Sequence, residues 1–299
     1  MTAAPARLTP AQLAQFATHG FISPVEALSA VEGAECERRL VAALAATGGH
    51  ADVRMRNNPH LLLRWMNDLM RDPRVVEPMA DLLGPNLLVL RTALFVKVPH
   101  DHGTIAWHQD LAYWELSSDR SITVWLALTD STPENGCVRV VAGSHHGPLL
   151  DHRLGRDQYN RLVRGQLVDI HPPPERVVDL ELRAGQLSVH HGRLLHSSPA
   201  NPSPRLRAGL AVRFVSPDVR QGGPRGSATL VRGVDTYGYY DHEPVPRFDG
   251  DPIARAWHRR SLRRYATHVL WQIVRHPGRD HLALLARLAM RGGFRALWR

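Results

Sequence analysis

Three potential metal ligands, far apart in the sequence, place the strongest constraint on the fold of this chain. His108 and Asp110 are separated by one residue, and His196 lies far downstream. On a β-strand, side chains two residues apart point to the same face, so His108 and Asp110 can bind one ion together. His196 must then come from another strand of the same fold. Two imidazoles and one carboxylate on one face of an octahedral ion leave three positions open, which is typical of non-haem Fe(II) oxygenases.

The His-x-Asp pair is weak evidence by itself, because the chain has 18 histidines. The segment that contains His196 strengthens it. From His196 the sequence reads His-Ser-Ser-Pro-Ala-Asn-Pro-Ser-Pro-Arg-Leu-Arg and then continues into the alternating run 208–215. A turn rich in Ser, Pro and Asn therefore separates the third ligand from the arginines that open the next strand. The planar guanidinium of an arginine suits a dicarboxylic acid, because it binds a carboxylate through two hydrogen bonds.

The order of the motifs resembles the phytanoyl-CoA dioxygenase family of Fe(II)- and 2-oxoglutarate-dependent oxygenases. The matching blocks are segments 9–21, 107–114, 124–130, 134–140 and 143–145, followed by the hairpin around His196. Together they span roughly residues 8 to 240. Six blocks in the same order are far more specific than the His-x-Asp pair alone.

The resemblance implies a role for individual residues. His108, Asp110 and His196 match the family's iron ligands and are the expected catalytic residues. Arg207 matches the arginine that binds the distal carboxylate of 2-oxoglutarate. Arg205 is the competing candidate, because it would share a strand face with Arg207.

Other residues are expected to line the pockets for the co-substrate and the substrate. The co-substrate candidates are Gln109, Trp125 and Ser198. Core packing is the alternative role of Trp125, and turn formation is that of Ser198. The substrate-wall candidates are Tyr113, Trp114 and the segment 229–235, which includes Arg232; ordinary packing or turn structure is their alternative. His190 and His191 are expected to be structural or to support the ligands.

Asp110 also bears on the type of reaction. Halogenating relatives have a small residue in place of this carboxylate, which opens a coordination position for chloride. Because Asp110 is present, the resemblance implies hydroxylation or desaturation with Fe(II), 2-oxoglutarate and O2, with release of succinate and CO2. The expected substrate is a small organic metabolite, such as one of bacterial secondary metabolism; an acyl-CoA or carrier-bound substrate is the alternative.

Three other functions remain alternatives. A zinc hydrolase could use the same ligands, but it would have no use for Arg207. A non-enzymatic cupin-like binding protein would not need all three ligands. A nucleic-acid demethylase would use the same chemistry on a basic surface.

Helical signals dominate the first third of the chain, and strand signals dominate the middle. Capping boxes at Thr9 and Ser29 predict helices that end at Gly20 and near Gly48, and two more helices are predicted over 59–70 and 73–83. Predicted strands are 87–98, 122–128, 138–142, 177–182, 186–190 and 207–215. We therefore expect an α+β fold with a mainly β core, a double-stranded β-helix (jelly roll, cupin-like) flanked by N-terminal helices. The polar insertion 149–174 is expected to cover the pocket mouth.

The C-terminal segment differs from the rest of the chain. We expect a dioxygenase jelly-roll domain over 1–252 and a basic amphipathic helical tail over 253–299. Apolar residues recur at helical spacing between Trp257 and Val274 and again over 282–289, with arginines between them. The tail is expected to pack on the barrel or to join two chains in a homodimer. Binding to an anionic membrane surface, or docking of an acidic carrier protein or coenzyme A ester, is the alternative.

Composition excludes some classes of protein. The formal net charge of +9 suggests nucleic acid, but much of the excess lies in the tail and no nucleic-acid-binding motif accompanies it, so no such partner is expected. No run approaches the roughly 20 apolar residues of a membrane span, and the N-terminus lacks an apolar signal core. The chain has only two cysteines, Cys36 and Cys137. This fits a reducing cytoplasm, which would also keep iron ferrous.

Overall fold

The computed structural model describes residues 7–154, 159–162 and 166–275. Within these ranges the chain forms two β-sheets, with helices packed on the larger one. The helices are α1 (Pro10–His19), α2 (Ala30–Ala45), α3 (Val53–Arg56), α4 (Arg64–Arg71), α5 (Pro73–Leu83) and α6 (Pro252–Arg275). The strands are β1 (Phe21–Glu26), β2 (Leu87–Lys97), β3 (Ile105–His108), β4 (Ser121–Ala127), β5 (Val138–Val141), β6 (Arg153–Leu154), β7 (Gln166–Leu167), β8 (Val177–Leu180), β9 (Gln186–His191), β10 (His196–Ser198), β11 (Arg207–Val215), β12 (Ser227–Arg232) and β13 (Asp241–His242).

From β2 to β5, and again from β8 to β11, successive strands alternate between the two sheets. The larger sheet has the strand order β1-β9-β4-β11-β2-β12-β13, and the smaller has the order β3-β10-β5-β8. The four strands of the smaller sheet pair antiparallel with one another. This arrangement confirms the predicted jelly roll with flanking helices. The insertion 149–174 contributes a separate ribbon of β6 and β7.

The central strands of the larger sheet are buried on both faces. Every residue of β4 and β11 is buried, which explains why these segments read as long apolar runs. On the outer face, Leu40, Met66 and Val76 of the helices join a core with Val124 and Leu210. The inner face points towards the smaller sheet. The expected metal ligands lie in the space between the two sheets.

Of the helices predicted in the first third of the chain, all but one begin where the local signals predicted; the short α3 was not predicted. Thr9 and Ser29 both form capping boxes. The predicted helix 59–70 is wrong as a single element, because it consists of a short 3-10 turn followed by α4, which begins at Arg64. Asn58 has a left-handed backbone (φ 50°), and its side-chain oxygen accepts a hydrogen bond from the Thr92 amide (3.2 Å). This long-range contact fixes the chain before the turn.

The C-terminal helix packs on its own chain. The ring Nε2 of His258 lies 2.7 Å from the Asn57 carbonyl oxygen, and Asn58 donates to the Ser261 hydroxyl at 3.0 Å. Leu262, Ala266 and Val269 of the predicted apolar stripe are buried. Val274 departs from the prediction, because 79% of it is exposed.

Part of the predicted tail lies outside the described residues, including the second amphipathic segment at 282–289. Among the helices that the structure describes, none is both long enough and apolar enough to cross a membrane.

Candidate metal centre

His108 and His196 face each other across neighbouring strands. They are direct partners in the antiparallel pair β3–β10, and their ring centroids are 4.0 Å apart. Strand β3 ends at His108, so Asp110 is not on the strand as expected but opens a 3-10 turn. Gln109 keeps an extended backbone (φ −120°, ψ 129°). The alternation of side chains therefore continues through Gln109, and Asp110 faces the same side as His108.

These three residues form a compact, buried donor set. One ligand atom from each of His108, Asp110 and His196 lies within 4.8 Å of the others. The His108 Nε2 is 3.8 Å from the Asp110 Oδ1. Two nitrogens and one carboxylate oxygen fit a divalent transition metal held on one face.

Backbone hydrogen bonds orient both imidazoles. The Nδ1 of His108 donates to the Ala106 carbonyl oxygen, and the Nδ1 of His196 donates to the Leu194 carbonyl oxygen, each at 2.9 Å. With the proton held on Nδ1, the lone pair of each ring lies on Nε2, where a metal can bind. Burial lowers the pKa of both histidines below the ordinary value. The rings are therefore neutral near pH 7, which is the form that binds metal.

Asp110 is held in its charged form. Burial by itself raises the pKa of this carboxyl, but Arg213 and the neighbouring imidazoles outweigh burial and lower the pKa well below the ordinary value. Its Oδ2 accepts a hydrogen bond from the Thr123 hydroxyl at 2.6 Å and lies 3.5 Å from the Arg213 Nε. The other oxygen, Oδ1, faces His108 and is available for a metal.

His190 lies beside this centre. Its Nε2 is 3.9 Å from the Asp110 Oδ2, and its ring centroid is 4.6 Å from that of His196. Burial lowers its pKa to about 3. Neither ring nitrogen has a hydrogen-bond partner within the described residues. His190 is thus a neutral neighbour of the donor set, and its expected supporting role stays a prediction. His191, on the opposite side of β9, accepts a hydrogen bond from the Arg193 amide at 3.1 Å.

Arg207 is a deeply buried cation and the first residue of β11, on the inner face of that strand. Only 1% of it is exposed, and its Nε donates to the Ser131 hydroxyl at 3.2 Å. Its guanidinium carbon lies 4.3 Å from the centroid of the Trp125 ring. Its Nη2 has no hydrogen-bond partner within the described part of the chain, and burial lowers its pKa to about 10. A buried guanidinium with an unsatisfied N–H is suited to an incoming carboxylate.

Arg205 differs from Arg207 in its surroundings. It precedes the strand and is exposed. Of the two candidates for the distal carboxylate, Arg207 is the one that the fold places inside the barrel.

Sequence reasoning missed a second cation next to Arg207. Lys97 is the direct partner of Arg207 across β2 and β11, and only 3% of it is exposed. Its Nζ donates to the Ser198 hydroxyl at 2.6 Å and also to the Pro199 carbonyl oxygen. Burial, with a further contribution from Arg207, lowers the pKa of Lys97 to about 6. A lysine at the end of the strand-like run 87–97 was the available signal.

The other predicted pocket residues are not all brought together. Ser198 faces Lys97 and donates to the Gly136 carbonyl oxygen at 2.8 Å. The side-chain amide of Gln109 instead bonds to two loops. Its nitrogen donates to the Arg193 carbonyl oxygen (2.8 Å), and its oxygen accepts from the Leu150 amide (2.8 Å). Its contact with a co-substrate stays a prediction. Arg232 pairs with Glu77 at 2.9 Å and is not among the residues that line the cavity described next.

A cavity leads from the metal centre to the C-terminal helix. His108 and Asp110 lie at its base, and Tyr113 and Trp114 form part of its wall. Contact of Tyr113 and Trp114 with a substrate stays a prediction. The wall is completed by residues that the sequence did not suggest: Arg91, Phe95, Arg161, Arg213, Arg264 and Tyr265. Arg161 belongs to the insertion 149–174, so part of that insertion does border the cavity.

Comparison with known proteins identifies relatives of this chain. The sequence model of the family described as phytanoyl-CoA dioxygenase (PhyH) matches residues 20–209. A probable alpha-ketoglutarate-dependent hypophosphite dioxygenase from Stutzerimonas stutzeri is 26% identical over 190 residues, which are 63% of this chain and 63% of that protein. A probable phytanoyl-CoA dioxygenase from Caenorhabditis elegans is 31% identical over 158 residues, or 49% of each chain. This chain thus spans between about half and two thirds of the length of these curated relatives.

A solved structure is similar over nearly its whole length. The apo form of the non-heme monooxygenase ThoJ is 31% identical, with a TM-score of 0.77, and the match covers 88% of this chain and 99% of that chain. The jelly roll and its helices are therefore shared with a non-haem enzyme.

Proposed function

This chain belongs to the phytanoyl-CoA dioxygenase family, and we propose that it is an Fe(II)- and 2-oxoglutarate-dependent dioxygenase that hydroxylates a C–H bond of a small organic metabolite. The observation that carries the proposal is the pairing of two sites within one barrel. The buried donor set of His108, Asp110 and His196 lies between the same two sheets as the buried, incompletely bonded Arg207.

The three ligands would hold ferrous iron. When bound, iron supplies the oxidative decarboxylation of 2-oxoglutarate by O2, which gives succinate and CO2, and the oxidation of the substrate. The backbone bonds of His108 and His196 keep both Nε2 atoms directed at one point. Thr123 holds the carboxylate of Asp110 in position. Because Asp110 supplies the third ligand, we propose hydroxylation or desaturation and not halogenation.

Arg207 would bind the distal carboxylate of 2-oxoglutarate. The indole of Trp125 packs against its guanidinium and fixes its plane, and Ser131 accepts one of its hydrogen bonds. Lys97, held by Ser198 at the same end of the barrel, would supply a second positive charge when it takes up a proton on binding of the dianion. This arrangement suits a dicarboxylate, because one charged end would bind the metal and the other would bind the guanidinium.

The substrate would enter the cavity walled by Tyr113, Trp114 and α6. We propose a dioxygenase domain over 1–252 and a tail over 253–299, whose first helix closes the substrate cavity. A cytoplasmic location fits the two cysteines, both free and buried. A homodimer formed through the tail stays a prediction; the apolar stripe of α6 packs on its own chain.

The proposal is tested by reconstitution. Metal-free protein is loaded anaerobically with Fe(II), mixed with 2-oxoglutarate, and exposed to O2 while succinate is measured. We expect succinate formation that depends on both iron and O2. The Zn(II)-loaded protein is the control for a hydrolase. Absence of succinate with iron, together with metal-dependent hydrolysis by the zinc form, would contradict the proposal.

A further inference from the structure

We infer that Arg91 and Arg213 bind an oxyanion of the substrate, a carboxylate or a phosphate-type group, beside the metal centre. This inference rests on the proposed function only in assigning the bound molecule as the substrate.

The two arginines are direct neighbours on the inner face of the larger sheet. Arg213 of β11 is paired with Arg91 of β2 in the antiparallel register. Both line the cavity that has His108 and Asp110 at its base. Two arginines at paired positions on one face of the sheet offer an incoming anion two charged hydrogen-bond donors.

Arg213 has hydrogen-bonding capacity that the protein leaves unused. It is 9% exposed, and neither Nε nor Nη1 has a hydrogen-bond partner within the described residues. Its Nε forms a 3.5 Å ion pair with the Asp110 Oδ2, and the guanidinium carbon lies 5.3 Å from the centroid of the Trp114 ring. A metal bound to Asp110 would draw on the same carboxylate charge. The guanidinium of Arg213 would then face the cavity with less compensation.

Contacts with Asn57 and with Tyr265 of α6 orient the guanidinium of Arg91. Its Nη2 donates to the Asn57 side-chain oxygen, and its guanidinium carbon lies 3.8 Å from the centroid of the Tyr265 ring. These contacts hold the plane of the group in a defined position, as bidentate binding of an oxyanion requires.

The two other arginines of the wall each form an ion pair with an acid outside the proposed metal centre. Arg161 forms an ion pair with Asp101 at 2.5 Å, and Arg264 forms one with Asp241. The acidic partner of Arg213, by contrast, is the proposed metal ligand itself. We therefore assign the oxyanion to the side of the cavity nearest the metal.

The rest of the wall indicates what the oxyanion is attached to. Phe95, Tyr113, Trp114 and Tyr265 line the cavity together with the arginines. Aromatic side chains contribute large apolar contact surfaces. The substrate class is thus an acid with an apolar or aromatic body, small enough to fit between the metal and α6.

The test uses aryl acids as probes, because the substrate is not identified. The protein is loaded with Ni(II) and 2-oxoglutarate, so that Arg207 is occupied and no turnover takes place. Benzoate, phenylphosphonate and the uncharged benzamide are titrated separately by calorimetry at low ionic strength. Arg91→Gln removes the charge, Arg91→Lys keeps it, and Arg255→Gln on the exposed side of α6 is the matched control.

We expect at least one of the two acids to bind more tightly than benzamide. Which acid binds distinguishes a carboxylate from a phosphate-type group. Arg91→Gln should weaken this binding about tenfold or more, as expected for the loss of a charged hydrogen bond, while Arg91→Lys should weaken it less and Arg255→Gln should leave it unchanged. The inference is overturned if neither acid binds, if benzamide binds equally well, or if Arg91→Gln binds like the wild type.

The wild-type succinate assay is run on the same preparation with Fe(II). Acid binding that depends on Arg91, without iron-dependent succinate, would contradict the proposed function and leave the oxyanion site in place. Succinate without acid binding would contradict the oxyanion site alone.

Discussion

Gly209 leaves room for the indole of Trp125. A Cβ added at Gly209 would lie 2.0 Å from the Cζ2 of Trp125, which is far inside contact distance. The same indole packs on the guanidinium of Arg207 at 4.3 Å. Because Gly209 has no side chain, the indole can pack on Arg207, the residue of the same strand that is proposed to bind the co-substrate.

Gly209→Ala is therefore expected to raise the KM for 2-oxoglutarate. The added methyl group must displace the Trp125 ring from Arg207, and overpacking of this kind costs about 1–3 kcal/mol. The measurement is succinate formation at increasing 2-oxoglutarate. Adding Trp125→Phe should recover part of the affinity, because the smaller ring relieves the clash. If the single variant binds 2-oxoglutarate like the wild type, the packing argument fails.

Arg207→Ala should have a larger effect on the same KM. Loss of a buried charge pair typically costs about 2 kcal/mol or more, which corresponds to about thirtyfold in affinity. Arg205→Ala is the matched control, because Arg205 is exposed at the start of the same hairpin segment and should leave the KM unchanged. A strong effect of Arg205→Ala without one of Arg207→Ala would transfer the role to Arg205.

The affinity for 2-oxoglutarate should also fall as the pH rises above about 6. Burial and the charge of Arg207 lower the pKa of Lys97 to about 6, so free Lys97 is mostly neutral at pH 8. Binding of the dianion favours the protonated lysine and therefore requires proton uptake above pH 6. The affinity should drop by up to about tenfold per pH unit in this range, and it should level off below pH 6.

Lys97→Met is the control for this pH dependence. It removes the titrating group and keeps a side chain of similar length. The variant should bind 2-oxoglutarate more weakly at pH 6 but with a flatter pH profile, as measured by calorimetry on the Ni(II)-loaded protein. A wild-type profile that is already flat between pH 6 and 8 would rule out Lys97 as the titrating group.

How much of this site could be predicted depends on whether the signal was local. The three proposed ligands and Arg207 lie in short motifs whose order along the chain was informative. Arg91 and Lys97 could not be assigned in the same way. Their positions depend on the register between β2 and β11, where Arg91 meets Arg213 and Lys97 meets Arg207. Pairing between strands more than 100 residues apart leaves no pattern in either segment alone.

The same distinction explains the fold predictions. The capping boxes at Thr9 and Ser29 involve side chains three residues apart and were visible in the sequence. The interruption before α4 was not visible, because it depends on the hydrogen bond between Asn58 and the distant Thr92. Likewise, β12 (Ser227–Arg232) lies next to β2 near the edge of the sheet, where weak apolar alternation gave no clear strand signal.

The metal ligands can be tested by metal content. His108→Ala and His196→Ala should each reduce bound iron well below one per chain after anaerobic reconstitution and desalting, because only two protein ligands remain. Metal analysis by mass spectrometry measures the loss, and succinate formation should disappear with it. His102→Ala, at an exposed position, is the control and should bind iron normally. Full activity of either ligand variant would remove that residue from the proposed triad.

Deleting residues 253–299 should destabilise the protein and change its behaviour in solution. The deletion removes α6, whose buried Leu262 and Val269 are each worth about 1.5–3 kcal/mol of burial, and it opens the cavity wall at Tyr265. We expect a lower Tm, lower solubility and weaker binding of the aryl acid probes.

A shorter deletion, which removes only the residues after Arg275, keeps every described contact of α6 and serves as the control. A sizing column compares both with the full chain, and a dimer lost only in the longer deletion would support pairing through α6. If the longer deletion kept its Tm and size but lost binding to anionic liposomes, the helix would be a membrane-binding element and not part of the cavity wall.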